Sequence, residues 1–284
     1  MRVYWGASLP ALMVAIGGAA PGQSPALTRL DHIAAVRGVN LAAHNGGTSG
    51  RSTATVRLEN VSTKAIYAFR LALSSRYRDG SVQVGHPFVD LLPEYVDAAG
   101  LPADFQRRIA LFRSGEPFEH EWKLTPAANG EPTVLAEAAV DAIIFEDRTA
   151  LGDAAGIRQI LQLRALEAQV LASLAGDLDT VAGSADPMQA LNARLAWLRK
   201  AQDDLRRVGP ESYARRVPAT VATVKDPMGK IVASKDTTVE RVQMLDAFVR
   251  SVGGDPARIR ATAEDQRKLA RMYELHSTLA EAQR

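Results

Sequence analysis

Five histidines, His32, His44, His86, His120 and His276, are the first side chains to test for chemistry. None lies three or four residues from another, so the helical ligand pair of a metalloprotease is missing. His120-Glu121 begins such a motif, but Trp122-Lys123 follows it and no second histidine completes it. On an alternating strand His120 reads as a half-exposed surface group and not as a metal ligand. The run Gly46-Gly47-Thr48-Ser49-Gly50-Arg51-Ser52 approaches a nucleophile elbow. A true elbow has glycine two residues either side of the serine, and here the second position is Arg51. As a phosphate loop the run lacks the closing Gly-Lys-Ser/Thr, and it reads as a flexible connector. Glu137 and Asp141 share one face of a strand but sit about 13 Å apart at its rise per residue, too far for a paired-carboxylate glycosidase. Glu146, Asp147 and Asp153 follow them, and Asp147 with Thr149 and Asp153 reads as a set of structural caps. The chain contains no cysteine, which removes disulfides, thiolate metal sites and a thiol nucleophile. No catalytic, cofactor-binding or metal-binding residue is assigned, and no cofactor is implied.

One charged region stands out. Arg194, Arg199, Lys200, Arg206, Arg207, Arg215, Arg216, Lys225 and Lys230 are opposed only by Asp203, Asp204, Glu211 and Asp226. Two readings follow: a solvated helix face, or a contact for an anionic envelope component or an acidic protein. The formal charge of the whole chain is only +2, which argues against a nucleic-acid binder.

The context for that region comes from the N-terminus. Arg2 and the amino group form a short positive start, and no charge occurs from Val3 to Ala20. Leu9, Leu12, Met13, Val14 and Ile16 supply an apolar core, and Gly17-Gly18-Ala19-Ala20 a small-residue exit. These are the three parts of a secretory signal. Cleavage is expected after Ala19 or after Gly22, giving an exported, periplasmic or extracellular protein. An anchor left uncleaved is the alternative. Pro10 and the glycines dilute the run below what a spanning helix needs, and without cysteine there is no lipid attachment. About 262 residues remain after cleavage, enough for one or two domains that must be stable through packing alone.

From residue 51 to 150 the period is mostly two. Ala54, Val56 and Leu58 alternate with Thr53, Thr55, Arg57 and Glu59. Lys64 to Leu73 is apolar on nearly both faces and reads as a central strand. Arg78-Asp79-Gly80-Ser81 is an Asp-Gly turn into Val82–Val84. Phe118, His120 and Trp122 alternate with glutamates, and Val134 to Phe145 closes the series. Leu91 to Leu111 is an irregular excursion that either carries function or simply tolerates insertion. Asn60-Val61-Ser62-Thr63-Lys64, Phe69-Arg70-Leu71, Tyr77-Arg78-Asp79-Gly80-Ser81 and the later Gly115-Glu116 resemble the FxLYD-type, immunoglobulin-like modules of bacterial exported proteins. The resemblance covers residues 51–147 and departs from the pattern at the excursion. It implies a β-sandwich and a non-catalytic envelope or surface role; its motifs are turn and core residues, which specify fold and not chemistry.

After Asp147 the period becomes helical. Asp153 is the expected cap of a helix with Ile157, Ile160, Leu161, Ala165, Leu166, Val170 and Leu174 inward and Arg158, Gln159, Gln162 and Arg164 outward. Gly176 and Gly183 bracket its end. Asp186-Pro187 and Asp255-Pro256 start further helices, and Thr237 to Val252 forms another. Residues 211–235 are interrupted by Pro218, Pro227 and Gly229. Short loops favour antiparallel neighbours, and no sustained heptad or internal repeat is present.

The expected fold is therefore α+β, an N-terminal immunoglobulin-like β-sandwich followed by an all-α module of antiparallel helices. Its divisions are a signal peptide at 1–22, an N-terminal segment and linker at 23–50, a sandwich domain at 51–150 and a helical domain at 151–284. The expected role is a non-catalytic envelope interaction or structural module. The alternative is an enzyme or ligand-binding protein with a site at the sandwich–helix junction or under the excursion, using His86, Asp90 or Glu94. The expected partners are another envelope protein or an anionic envelope component at 194–230, with no nucleic acid and no membrane span in the mature chain.

Overall fold

A computed structural model describes residues 2–4, 29–44, 53–77, 80–92, 112–123, 134–208, 217, 220–251 and 254–280. The apolar run of the expected signal, the 46–52 loop, most of the 91–111 excursion, Arg215 and Arg216 lie outside the described residues. The chain is α+β, with several antiparallel sheets and, among the described residues, four helices. It divides into two compact units. Unit 1 holds residues 1–92, 110–160 and 279–284, and unit 2 holds 93–109 and 161–278. None of the described helices is long and apolar enough to cross a membrane.

Unit 1 carries two sheets. The larger is built on β5 (Ile66–Arg76) and β9 (Val134–Phe145), paired antiparallel along most of their length. β6 (Val82–Gly85) and β7 (Phe88–Asp90) lie in succession along the other side of β5. β1 (Arg2–Tyr4) pairs with β7. β10 (Ala150–Gly152) pairs antiparallel and β2 (Arg29–His32) parallel with β9. The second sheet runs β3 (Val36–His44), β4 (Thr53–Asn60), β8 (Pro117–Lys123). The strands expected from alternation are thus present. The segment read as an N-terminal linker contributes two more, β2 and β3. Burial follows the pattern that apolar alternation dictates. Val56, Leu58 and Trp122 of one sheet join Phe69, Leu71, Leu73, Val140 and Ile143 of the other in a single core. Phe118 meets Phe69 edge-on at 5.0 Å, a favourable arrangement of ring quadrupoles.

Unit 2 takes most of α1 (Ala154–Ala182), with α2 (Pro187–Val208), α3 (Thr238–Ser251) and α4 (Pro256–Leu275). The starts are the ones the sequence signals. The Asp186 carboxylate accepts from the Gln189 amide at 3.0 Å and that of Asp255 from the Ala257 amide at 2.9 Å, each ahead of a proline. Leu174, Leu178 and Val181 of α1, Leu191, Leu195 and Leu198 of α2, Leu245 of α3, and Ile259 and Ala263 of α4 share one core. Two features depart from expectation. Arg164, placed on a polar face by its type, is fully buried and donates from Nη1 to the His276 carbonyl at 3.2 Å. The interrupted 211–235 stretch contains a hairpin, β11 (Val221–Lys225) with β12 (Ile231–Asp236), inside what was expected to be all helix.

The turn between β4 and β5 shows how a polar motif can specify a strand connection. Asn60 is completely buried. Its side-chain amide donates to the Lys64 carbonyl at 2.9 Å and the Phe112 carbonyl at 2.7 Å. Its Oδ1 accepts from the Ser62 amide at 3.0 Å and the Ser62 hydroxyl at 2.7 Å. One side chain thus closes its own turn and pins a segment 52 residues away. A buried amide deprived of such partners is costly. Asn60→Ala is expected to lower the unfolding free energy by about 3 kcal/mol and Ser62→Ala by about 1 kcal/mol, as read from denaturant titration.

Candidate functional site

The densest group of ionisable side chains in unit 1 is assembled around Arg70. β5 is buried on both faces over Ala68–Leu71. Phe69 and Leu71 enter the core, so Arg70 projects from the opposite face. The pairing of β5 with β9 slips here: Arg70 opposes Ala142 and Leu71 opposes Val140, so Asp141 is passed over. This bulge re-aims Asp141. Its carboxylate accepts two parallel bonds from Arg70, Nε to Oδ1 at 2.8 Å and Nη2 to Oδ2 at 2.7 Å. Such forked pairing suits a planar guanidinium.

The same guanidinium reaches the start of α1. Nη2 donates to Asp153 Oδ2 at 2.8 Å and Nη1 to Gln159 Oε1 at 3.2 Å. Asp153 caps the helix as its sequence predicts, since its Oδ2 accepts from the Gly156 amide at 2.7 Å. Two glycines make the close approach possible. Gly152, at φ +106°, lies so near the Asp141 carbonyl that a Cβ would stand 2.2 Å from its oxygen. A Cβ on Gly156 would stand 2.5 Å from Arg70 Cζ. The Asp153 amide completes the join by donating to the Asp141 carbonyl at 2.7 Å.

His86, between β6 and β7, brings its Nδ1 to 3.4 Å from Asp141 Oδ2 with a side chain 41 % exposed. Burial pushes the Asp141 carboxyl upward, but bonding and charge from His86 and Arg70 outweigh it and hold the group below its ordinary range. The Arg70 guanidinium is opposed by burial and held in its charged form by Asp141 and Asp153. The cluster therefore sets one fixed cation, Arg70, against two carboxylates, Asp141 and Asp153.

Of the residues offered for a site at the junction or under the excursion, His86 is brought to this cluster and Asp90 is not; Asp141 and Asp153, read as a strand carboxylate and a cap, are both part of it. Asp90 is buried, and its Oδ1 accepts from the Leu92 amide at 3.0 Å. Glu94 lies outside the described residues. Glu137 is exposed, whereas Asp141 is tied to Arg70, so the two carboxylates have separate surroundings. His120 stacks edge-on against Trp122 at 4.6 Å, and burial pushes its imidazole pKa down. Gly152 and Gly156 carried no sequence signal beyond the Asp153 cap they surround, and Arg70 was read only as part of the strand motif Phe69-Arg70-Leu71.

Four of the seven described cations of the basic stretch are paired. Arg194 donates from Nε to Asp177 Oδ1 at 2.6 Å, and Arg199 binds both oxygens of Asp246 at 2.8 Å. Lys200 pairs with Asp204 at 3.2 Å and Arg206 with Asp203 at 3.5 Å. Asp177 is also held by Arg241, at 2.7 and 2.9 Å. No group of three or more His, Cys, Asp or Glu among the described residues is placed to hold a metal ion. No family model, curated protein or solved structure matches the chain.

The acidic cap residues give a pH dependence. Burial pushes the Asp147 carboxyl upward, but Lys64 Nζ at 2.5 Å and the Thr149 hydroxyl and amide together outweigh it and bring it down from 3.8 to about 2. A carboxyl lowered in the folded state stabilises that state above the unfolded value and loses the effect as pH falls. Unfolding free energy is expected to decline as pH falls from 3.8 to about 2. Asp147→Asn is expected to flatten part of that decline while leaving the neutral-pH slope unchanged, as read from urea titrations at stepped pH.

Proposed function

We propose that this chain is a non-catalytic, exported bacterial envelope protein that works by surface contact, built as an immunoglobulin-like β-sandwich followed by antiparallel helices. Two sheets sharing one core support the sandwich reading. The charged start, apolar run and small-residue exit of residues 1–22 support export. Cleavage after Ala19 or Gly22 would carry β1 away and leave the outer edge of β7 open.

The observation that carries the contact reading is β6. This short strand pairs with β5 on one side, and no other described strand pairs with it. Its alternation is inverted: Val82 and Val84 are exposed, while Gln83 turns inward to bond the Tyr77 hydroxyl. An open edge bearing outward valines is a ready template for a partner strand. The second reading, a ligand-binding or catalytic site, is favoured by His86 alone, half-exposed against a fixed carboxylate.

Fractionation of a bacterial host, with N-terminal sequencing and a photo-crosslinking residue at position 84, tests the proposal. The expected result is a protein outside the cytoplasm that begins at Ala20 or Gln23 and crosslinks to an envelope component, with the crosslink lost in Val82→Glu. A cytoplasmic protein retaining Arg2, with no crosslink, would overturn it. A small molecule that raises the melting temperature of the wild type but not of His86→Ala would move the assignment to the second reading.

A further inference from the structure

The β11–β12 hairpin ends in Asp226-Pro227-Met228-Gly229-Lys230. The Asp226 carboxylate accepts from the Met228 amide at 3.0 Å and the Lys230 amide at 2.9 Å. The Asp226 amide donates to the Lys230 carbonyl and the Gly229 amide to the Asp226 carbonyl, both at 2.9 Å. Gly229 takes φ +79°, where glycine is favoured, and Pro227 fixes the first corner. Midway along β11 the hairpin is held by Gln169. The Gln169 side-chain amide bonds the Thr223 backbone in both directions, at 2.8 and 2.9 Å, as a neighbouring strand would. The apex is therefore a fixed object, and its turn uses Asp226, Pro227 and Gly229.

The Met228 side chain takes no part in this. It is 91 % exposed, more than any other large apolar side chain among the described residues. Lys225 and Lys230 flank it, both exposed and without an ion-pair partner among the described residues. Arg194, Arg199, Lys200 and Arg206, in the same basic stretch, are each paired. Two unpaired cations thus flank an exposed thioether; Arg207, in the last turn of α2, is the other described member of the stretch with no ion pair.

We propose that this apex docks on an anionic lipid surface, with Met228 entering the boundary between headgroups and acyl chains while Lys225 and Lys230 meet lipid phosphates. A stable protein interface needs about 800 Å² on each side, packed around buried anchors. A narrow convex tip with one large apolar residue offers no such area. A bilayer accepts a single wedge, and lysine stems let their ammonium groups stay at headgroup level. The proposal names a partner for the contact reading above and rests on it only in taking the protein to act at an envelope surface; the β6 edge is a separate feature.

The test is co-sedimentation of the full chain with vesicles of phosphatidylcholine alone or mixed with phosphatidylglycerol. Variants are compared in the same chain, so that any affinity of the N-terminal segment cancels. The expected result is binding to the mixed vesicles that weakens with added salt. Met228→Ser is expected to reduce partition about tenfold, Lys225→Gln and Lys230→Gln about fivefold each, and Met228→Trp to increase it. The turn chemistry is untouched, so melting temperatures should stay at the wild-type value. Val82→Glu is expected to bind vesicles like the wild type, which separates failure of the β6 reading from failure of this one. Equal partition of wild type and Met228→Ser would reduce the contact to charge alone and overturn the proposal, as would no binding to mixed vesicles.

Discussion

The forked pair between Arg70 and Asp141 is the interaction on which unit 1 depends. It joins the two longest described strands at a slip in their register and extends to the first two turns of α1 through Asp153 and Gln159. Both ions are at least partly withdrawn from water, so each is costly without the other. The backbone geometry around it follows. Gly152 and Gly156 leave room for the carbonyl and the guanidinium, and the bulge at Asp141 aims the carboxylate.

Unit 2 repeats the same solution with different residues. Asp177 on α1 accepts from Arg194 on α2 and Arg241 on α3, and Thr237 takes a further Arg241 bond at 2.9 Å. Lys235 on β12 lies between Glu167 of α1 and Glu240 of α3, at 2.8 and 2.9 Å. Burial works against the Lys235 ammonium, and the two carboxylates more than restore it. In a chain with no cysteine, cross-links of this kind do part of what disulfides do in small secreted domains of other proteins. They also absorb charge that composition alone would assign to an external partner.

Much of this was legible in the sequence. Period-two alternation marked β4, β5, β8 and β9, and Asp-Pro or a single Asp marked the helix starts at 153, 186 and 255, because these signals are local. The Asn60-x-Ser62 turn was also readable, although its bond to the Phe112 carbonyl was not. What stayed hidden depends on partners distant in sequence. Arg70 sits within an apolar strand and finds its carboxylate 71 residues later. Arg164 reads as a surface residue because a helical period cannot show which face a neighbouring segment will cover. The β11–β12 hairpin was obscured by Pro227 and Gly229, which read as helix breakers and in fact form its turn. β2 and β3 lie in a stretch where Asp31, Gly38 and Asn40 interrupt the apolar alternation, and their pairing is set by β9 and β4.

The most direct measurement is a double-mutant cycle on Arg70→Met and Asp141→Asn, followed by equilibrium unfolding in urea at neutral pH. A clasp that joins β5, β9 and α1 predicts a coupling energy of about 2 kcal/mol or more between the two sites. It also predicts that either single variant exposes the start of α1 to faster amide exchange. Additive effects, with the Gly156 and Ile157 amides as protected as in the wild type, would contradict it.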